Sequence, residues 1–226
     1  KVKIENKSND YGLIALQGPL AAQLLQKLTS FDLTQLKTFH LAHTQVSDLD
    51  VMVSRTGYTG EDGFEVLVPF DTIESLWNAL LSTGKAVPCG LAARDILRLE
   101  MGYALFGHEL SPAISPLESV SFWTVKMYKE RFLGKESLQK WPTHRAEQGI
   151  VLLSKGVMRE GYPVFTGSSP VGIITSGGFS PTLGKSVAIA LLKSKLDIGD
   201  LVDVEIRGKK EPAEIVPLPF IHHHAT

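Results

Sequence analysis

A chain of 226 residues with 43% hydrophobic and 21% charged content can bury a sizeable core and is long for one domain, so two units are expected. Its 23 Lys and Arg against 24 Asp and Glu leave a formal net charge of −1, which excludes an overall electrostatic footprint for nucleic acid or an anionic membrane surface. The single cysteine, Cys89, excludes an internal disulfide and points to a reducing compartment: the cytoplasm, or the mitochondrial matrix in a eukaryote.

No apolar run has the length of a bilayer span, and the start Lys1-Val2-Lys3 has neither an initiator Met nor a signal-peptide core, which suggests a trimmed chain. In chain order, Tyr11 to Leu16 reads as a short buried strand. Gln17-Gly18-Pro19 then turns into a helix with Pro19 at its first position and Leu20, Leu24, Leu25 and Leu28 as its inner stripe. A polar connection follows, and 50–55 and 63–68 read as two strands around the Gly-rich excursion Thr56-Gly57-Tyr58-Thr59-Gly60-Glu61-Asp62. Asp71 with Glu74 has capping-box spacing for a second helix, whose core stripe is Ile73, Leu76, Trp77, Leu80 and Leu81.

The run from Cys89 to Glu100 is helical in composition, with Arg94 and Arg98 on one face and Gly102 as its stop. Pro112 and Pro116 make 111–116 a connector, 122–125 reads as a strand, and Gly134 to Trp141 reads as a short helix closed by Pro142. From about residue 146 short apolar runs alternate with Gly, Ser and Pro. Strands near 149–154, 162–166, 170–176, 186–192, 201–207 and 211–216 predict a small all-β barrel or sandwich. Gly208-Lys209-Lys210 is a hairpin turn, Gly177-Gly178 marks a bend or close backbone approach, and His222-His223-His224 is the one biased run.

Chemistry concentrates in residues 54–65. A Gly-rich loop between strands lets Tyr58 and Glu65 face one concavity. Glu65 is then either an ion-paired structural carboxylate or one that accepts from the adjacent N–H donors of a flat heterocycle. The loop lacks the P-loop ending and the GxGxxG spacing, and Glu61 and Asp62 oppose an anion, so a nucleotide cradle is rejected. Arg94 and Arg98 are either a solvated face or inward guanidinium groups. His40, His43 and His108 have no partners at metal-ligand spacing, and Cys89, with no nucleophile motif, reads as a small core hydrophobe.

Taken in order, Leu16-Gln17-Gly18-Pro19, Arg55 through Glu65 and Pro88 through Glu100 resemble the glycine-cleavage T-protein family. Ile114 through Glu118, Phe132 through Glu136 and Thr175 through Leu183 extend the likeness over essentially the whole chain. The resemblance implies an aminomethyltransferase of glycine catabolism and one-carbon metabolism. Such an enzyme moves the methylene carbon from aminomethyl-dihydrolipoyl on the H-protein to tetrahydrofolate, with release of ammonia. It implies that Glu65 reads the pterin amine edge, that Tyr58 lines the same cavity, that Arg94 contacts folate and that Tyr103 is a further aromatic wall, while Arg98 is structural.

The fold implied is α+β and multidomain: a folate-binding portion over 1–145 and an all-β barrel over 146–226. In the family a further third of chain precedes these motifs and carries the aspartate that orients or activates the folate amine. That N-terminal segment is therefore an implied partner, and this chain alone would bind folate weakly and supply no catalytic residue. Where the family often has a basic residue after its C-terminal Pro-Phe, for the folate tail, this chain has Pro219-Phe220-Ile221 and then His222. Two alternatives remain at this level: a non-catalytic folate- or H-protein-binding chain, and the C-terminal part of a dimethylglycine or sarcosine dehydrogenase. The iron–sulfur assembly relative is disfavoured, because its Lys-Gly-Cys-Tyr-x-Gly-Gln-Glu signature is absent.

Overall fold

The computed structural model describes residues 2–142 and 144–222, so His223 and His224 lie outside the described residues. The chain packs as two compact units, Lys1–Leu91 and Ala92–Thr226. The class is α+β with a closed six-stranded barrel at the C-terminal end, as expected. The sequence texture changes near residue 146, whereas the packing divides at Leu91, because much of 92–145 is bonded to the barrel.

In the first unit, β1 (Tyr11–Gln17), β2 (Leu41–Val46), β3 (Leu49–Ser54) and β4 (Gly63–Pro69) form an antiparallel sheet in the order β1-β4-β3-β2. Period-two alternation sends Ile14, Leu16, Val51, Val53, Phe64, Val66 and Val68 to one face, where they pack with Leu24, Leu25, Leu76 and Leu80. Those leucines come from α1 (Ala21–Gln26) and α2 (Ile73–Ser82). Leu13, Ser54, Glu65 and Leu67 take the opposite phase, and Leu13 there is 57% exposed.

Four sequence expectations change in this unit. The helix begins at Ala21, with Pro19 and Leu20 in the preceding turn, so Ala21 joins Leu24 and Leu25 in the core while Leu20 stays exposed. Asp71 does not cap α2: Phe70–Thr72 forms a 3-10 turn whose carbonyls lead into the helix, and Thr72 precedes it without a side-chain cap. The connection before β3 is itself β2, whose Leu-Ala-His-Thr-Gln-Val run lacks apolar alternation. It pairs because the left-handed Ser47 and Asp48 close a two-residue hairpin onto β3. Cys89 is exposed, its thiol directed at the Val87 carbonyl, and so is no core residue.

In the second unit, α3 (Leu91–Glu100) ends at Gly102, α4 spans Lys135–Gln139, and β5 (Ala146–Leu152), β6 (Pro163–Thr166), β7 (Ser169–Ser180), β8 (Lys185–Leu192), β9 (Leu201–Ile206) and β10 (Lys209–Val216) close into a barrel. The cyclic order is β10-β5-β8-β7-β6-β9. Ile150, Ile174, Ala188, Leu192, Val204 and Ile215 fill its interior. The outward Val187 and Ile189 of β8 are covered by Leu99 of α3, which explains why β8 is apolar on both faces. The β9–β10 turn is Arg207-Gly208, both left-handed, one position earlier than the sequence suggested. Gly177 and Gly178 do mark a close approach, since a Cβ there would lie 2.7 Å from the Met158 carbonyl oxygen and 2.4 Å from Ile96 Cδ1. The strand expected at 122–125 is a 3-10 turn over Phe122–Thr124, because the Ser119 and Ser121 carbonyls capture the amides of Phe122 and Thr124 before a ladder can form.

Segment 92–145 is fastened by buried carboxylates. Arg98, 1% exposed, donates to Asp95 at 2.8 Å, to the Tyr103 carbonyl at 3.1 Å, to Glu109 at 3.1 Å and to Ser176 of β7 at 2.8 Å. Glu109 also accepts from the Leu105 N–H and from Thr175 of β7. Glu100 accepts from Ser180 and Thr182. Glu118 receives both arms of the Arg145 fork at 2.8 Å, and this bond holds its carboxyl below the usual carboxylate range.

Glu147 differs: Oε2 accepts the Val120 N–H at 2.8 Å, while Oε1 is buried without a partner among the described residues. Burial pushes this carboxyl up to about 8, against the Val120 N–H and the Ser119 hydroxyl and with help from the charges of Glu109 and Glu118. It is therefore protonated at neutral pH.

Two predictions follow from this packing. Arg98→Met strands Glu109 as a buried carboxylate and should cost about 3–5 kcal/mol in denaturant unfolding; a loss under 1 kcal/mol would contradict the network's role. Glu147 ionises near 4.5 when unfolded and near 8 when folded. Its contribution is thus fully present below pH 4.5 and lost as pH rises through 8, on the order of 3–5 kcal/mol in all. Glu147→Gln should flatten that decline between pH 5 and pH 9, and parallel stability profiles for parent and variant would show the carboxyl is not responsible.

Candidate functional site

The Gly-rich loop 55–62 joins β3 to β4 and is held by its own first and last side chains. Arg55 Nε and Nη2 donate to the two Asp62 oxygens at 2.9 and 2.7 Å. Its Nη1 donates to the carbonyls of Leu33 and Leu36, and its guanidinium lies 5.5 Å from the Phe64 ring centroid. The pairing raises the Arg55 pKa and lowers that of Asp62. These acids and bases are occupied with each other, so they shape the loop rather than bind through it.

Glu65 is the next residue of β4 beyond Phe64, so its side chain takes the phase opposite the helix-packed face. It pairs across the sheet with Ser54. Thr56 Oγ1 lies 2.5 Å from Glu65 Oε2 and 3.0 Å from Ser54 Oγ. Glu65 is partly buried, and Oε1 has no bond among the described residues. Gln17, at the end of β1, donates through Nε2 to the carbonyls of Thr56 at 3.1 Å and Phe64 at 3.2 Å. Cβ atoms added at Gly57 or Gly63 would fall 1.9 and 2.5 Å from Gln17 Oε1, so this amide occupies the space that both glycines leave. Tyr58 lies in the same loop and is partly buried.

Glu65 and Tyr58 thus belong to the first unit, and Arg94 and Tyr103 belong to the second. Arg94 is on the exposed first half of α3, and Tyr103 follows its end, with its N–H bonded to the Arg98 carbonyl at 2.9 Å. Arg98, by contrast, is buried and bonded as described above. The spacing of Arg94 and Arg98 did not separate these roles; burial does. Beside Arg98 a polar cleft of about 330 Å³ is lined by Asp95, His108, Arg159, Glu160, Ser176 and Gly177. His222 lines a second hollow of about 440 Å³ with Lys185, Leu183 and Phe220. Sequence alone assigned Thr56 and Gln17 no individual role beyond the motifs that contain them. The pairing of the two strands that flank the loop is the signal that brings Ser54, Thr56 and Glu65 together.

Comparison with known proteins gives two family matches: the GCVT N-terminal domain over residues 1–129 and the glycine cleavage T-protein C-terminal barrel domain over 147–222. The chain is 43% identical over 223 residues to an aminomethyltransferase of Thermosipho melanesiensis, covering 97% of this chain and 61% of that protein. It is 43% identical over 228 residues to one of Bacillus pumilus, covering 97% and 62%. The crystal structure of glycine cleavage system aminomethyltransferase T from Bartonella henselae superposes with a TM-score of 0.84 at 34% identity, covering 93% of this chain and 60% of that one. The chain therefore spans about three fifths of the length of the curated relatives it matches. With both domain models matched in order, and a barrel formed where the second begins, the chain belongs to the glycine-cleavage T-protein family.

Proposed function

We propose that this chain serves an aminomethyltransferase of the glycine cleavage system, in which the methylene carbon of an aminomethyl group on the lipoylated H-protein passes to tetrahydrofolate and ammonia is released. The relatives above carry the name aminomethyltransferase, and the motifs that bear the likeness include the loop and helix described. The observation that carries the reading is Glu65, a partly buried carboxylate with one oxygen fixed by Thr56 and the other unbonded among the described residues. A pterin offers adjacent N–H donors along one edge, which such an oxygen can accept. In this reading Tyr58 and Tyr103 supply aromatic walls and Arg94 a cation toward folate. The H-protein is the macromolecular partner. A reducing compartment, cytoplasm or mitochondrial matrix, suits the exposed thiol of Cys89.

Glu65→Ala in the native protein should weaken tetrahydrofolate binding by about 1–3 kcal/mol, the scale of a lost hydrogen bond to a charged group. Calorimetric titration measures it, and an unchanged Kd would remove Glu65 from the site.

A further inference from the structure

A glutamate side chain has three rotatable bonds, and a carboxylate that reads a planar edge must be held in one orientation. The first unit contains the parts that do this. An ionised carboxylate only accepts, and a threonine hydroxyl has one proton. At 2.5 Å from Glu65 Oε2, that proton belongs to the bond with the carboxylate. The same hydroxyl also lies 3.0 Å from Ser54 Oγ, toward which it is directed. The Thr56 hydroxyl thus faces one carboxylate oxygen, and Ser54 beside it is also the cross-strand partner of Glu65.

The backbone under this chain is fixed independently. One Gln17 amide donates both to the carbonyl of Thr56, which carries the hydroxyl, and to that of Phe64, which precedes the carboxylate. A shift of the loop relative to β4 would break one bond or the other. The amide sits where side chains at Gly57 and Gly63 would otherwise be, so the glycine spacing of the loop fits the clamp.

We infer that Thr56, set beside Ser54 and clamped by Gln17, is a positioning residue that ties Glu65 Oε2 and thereby presents Oε1 to the 2-amino group of the pterin. This rests on the reading of Glu65 as the pterin carboxylate. Thr56 itself touches no reacting atom; it sets which oxygen reads the ligand.

The test measures Kd in the native protein for tetrahydrofolate and for its analogue with the 2-amino group replaced by methyl. Thr56→Val, which keeps the shape and removes the hydroxyl, should weaken tetrahydrofolate roughly five- to thirty-fold. It should leave the methyl analogue unchanged, and Thr56→Ser should restore affinity for tetrahydrofolate. Equal weakening of both ligands by Thr56→Val would mean general damage to the loop and would overturn the inference. An unaltered Kd in Thr56→Val, beside a weakened Glu65→Ala, would also overturn it while leaving the Glu65 reading intact. Failure of Glu65→Ala itself to change binding would remove the reading beneath both.

Discussion

A guanidinium taken out of water must place its N–H donors on acceptors, and Arg98 satisfies that demand with groups from both sides of a seam. Asp95 and the Tyr103 carbonyl come from its own helix and the turn beyond, Glu109 from the following loop, and Ser176 from the barrel. The arrangement fixes the end of α3, the turn that carries Tyr103 and the strand β7 as one body. Glu100, two residues on, repeats the device, and its carbonyl also accepts the amides of Phe220 and Ile221 from the C-terminal segment. Because these bonds are buried they are only weakly screened by salt.

What the sequence made legible follows from which interactions have a period. The strands of the barrel and of the first sheet were readable because apolar residues alternate there, and α2 because Leu76 and Leu80 recur at helical spacing. The strand β2 was not, since His43 and Gln45 sit on an open face and leave no alternating signal; its partner strand and a left-handed hairpin decide it. The 3-10 turn at Phe122 was misread for the converse reason. Phe122, Trp123 and Val125 have strand-like composition, but carbonyl groups three residues back supply the hydrogen bonds locally. Cys89 shows that composition sets burial only on average.

The division of roles between Arg94 and Arg98 was equally hidden. Both lie on one helix, four residues apart, and nothing in their spacing says which end of the helix is covered. The covering is done by β7 and β8, more than seventy residues later, through Ser176, Val187 and Ile189. A long-range packing event thus converts two similar side chains into a buried strut and an exposed cation. The physical cause of the difference in burial lies in the barrel.

The carboxylates differ among themselves in the same way, and Glu65 stands apart from the buried ones. Glu100, Glu109 and Glu118 are almost completely buried and have both oxygens bonded, as a charge in a low-dielectric interior requires. Glu147 is buried with one oxygen unmatched and escapes the penalty by holding its proton. Glu65 follows neither course. It stays partly accessible, so it needs no counter-charge to fold, and it spends one oxygen on Thr56 while the other keeps its accepting capacity. A carboxylate that served only the sheet would gain by pairing with a cation, yet Arg55, the basic residue at the base of its loop, is turned to Asp62. Arg55 and Asp62 are thus paired with each other rather than with Glu65, which is the arrangement a carboxylate needs if its partner is to arrive from outside the chain.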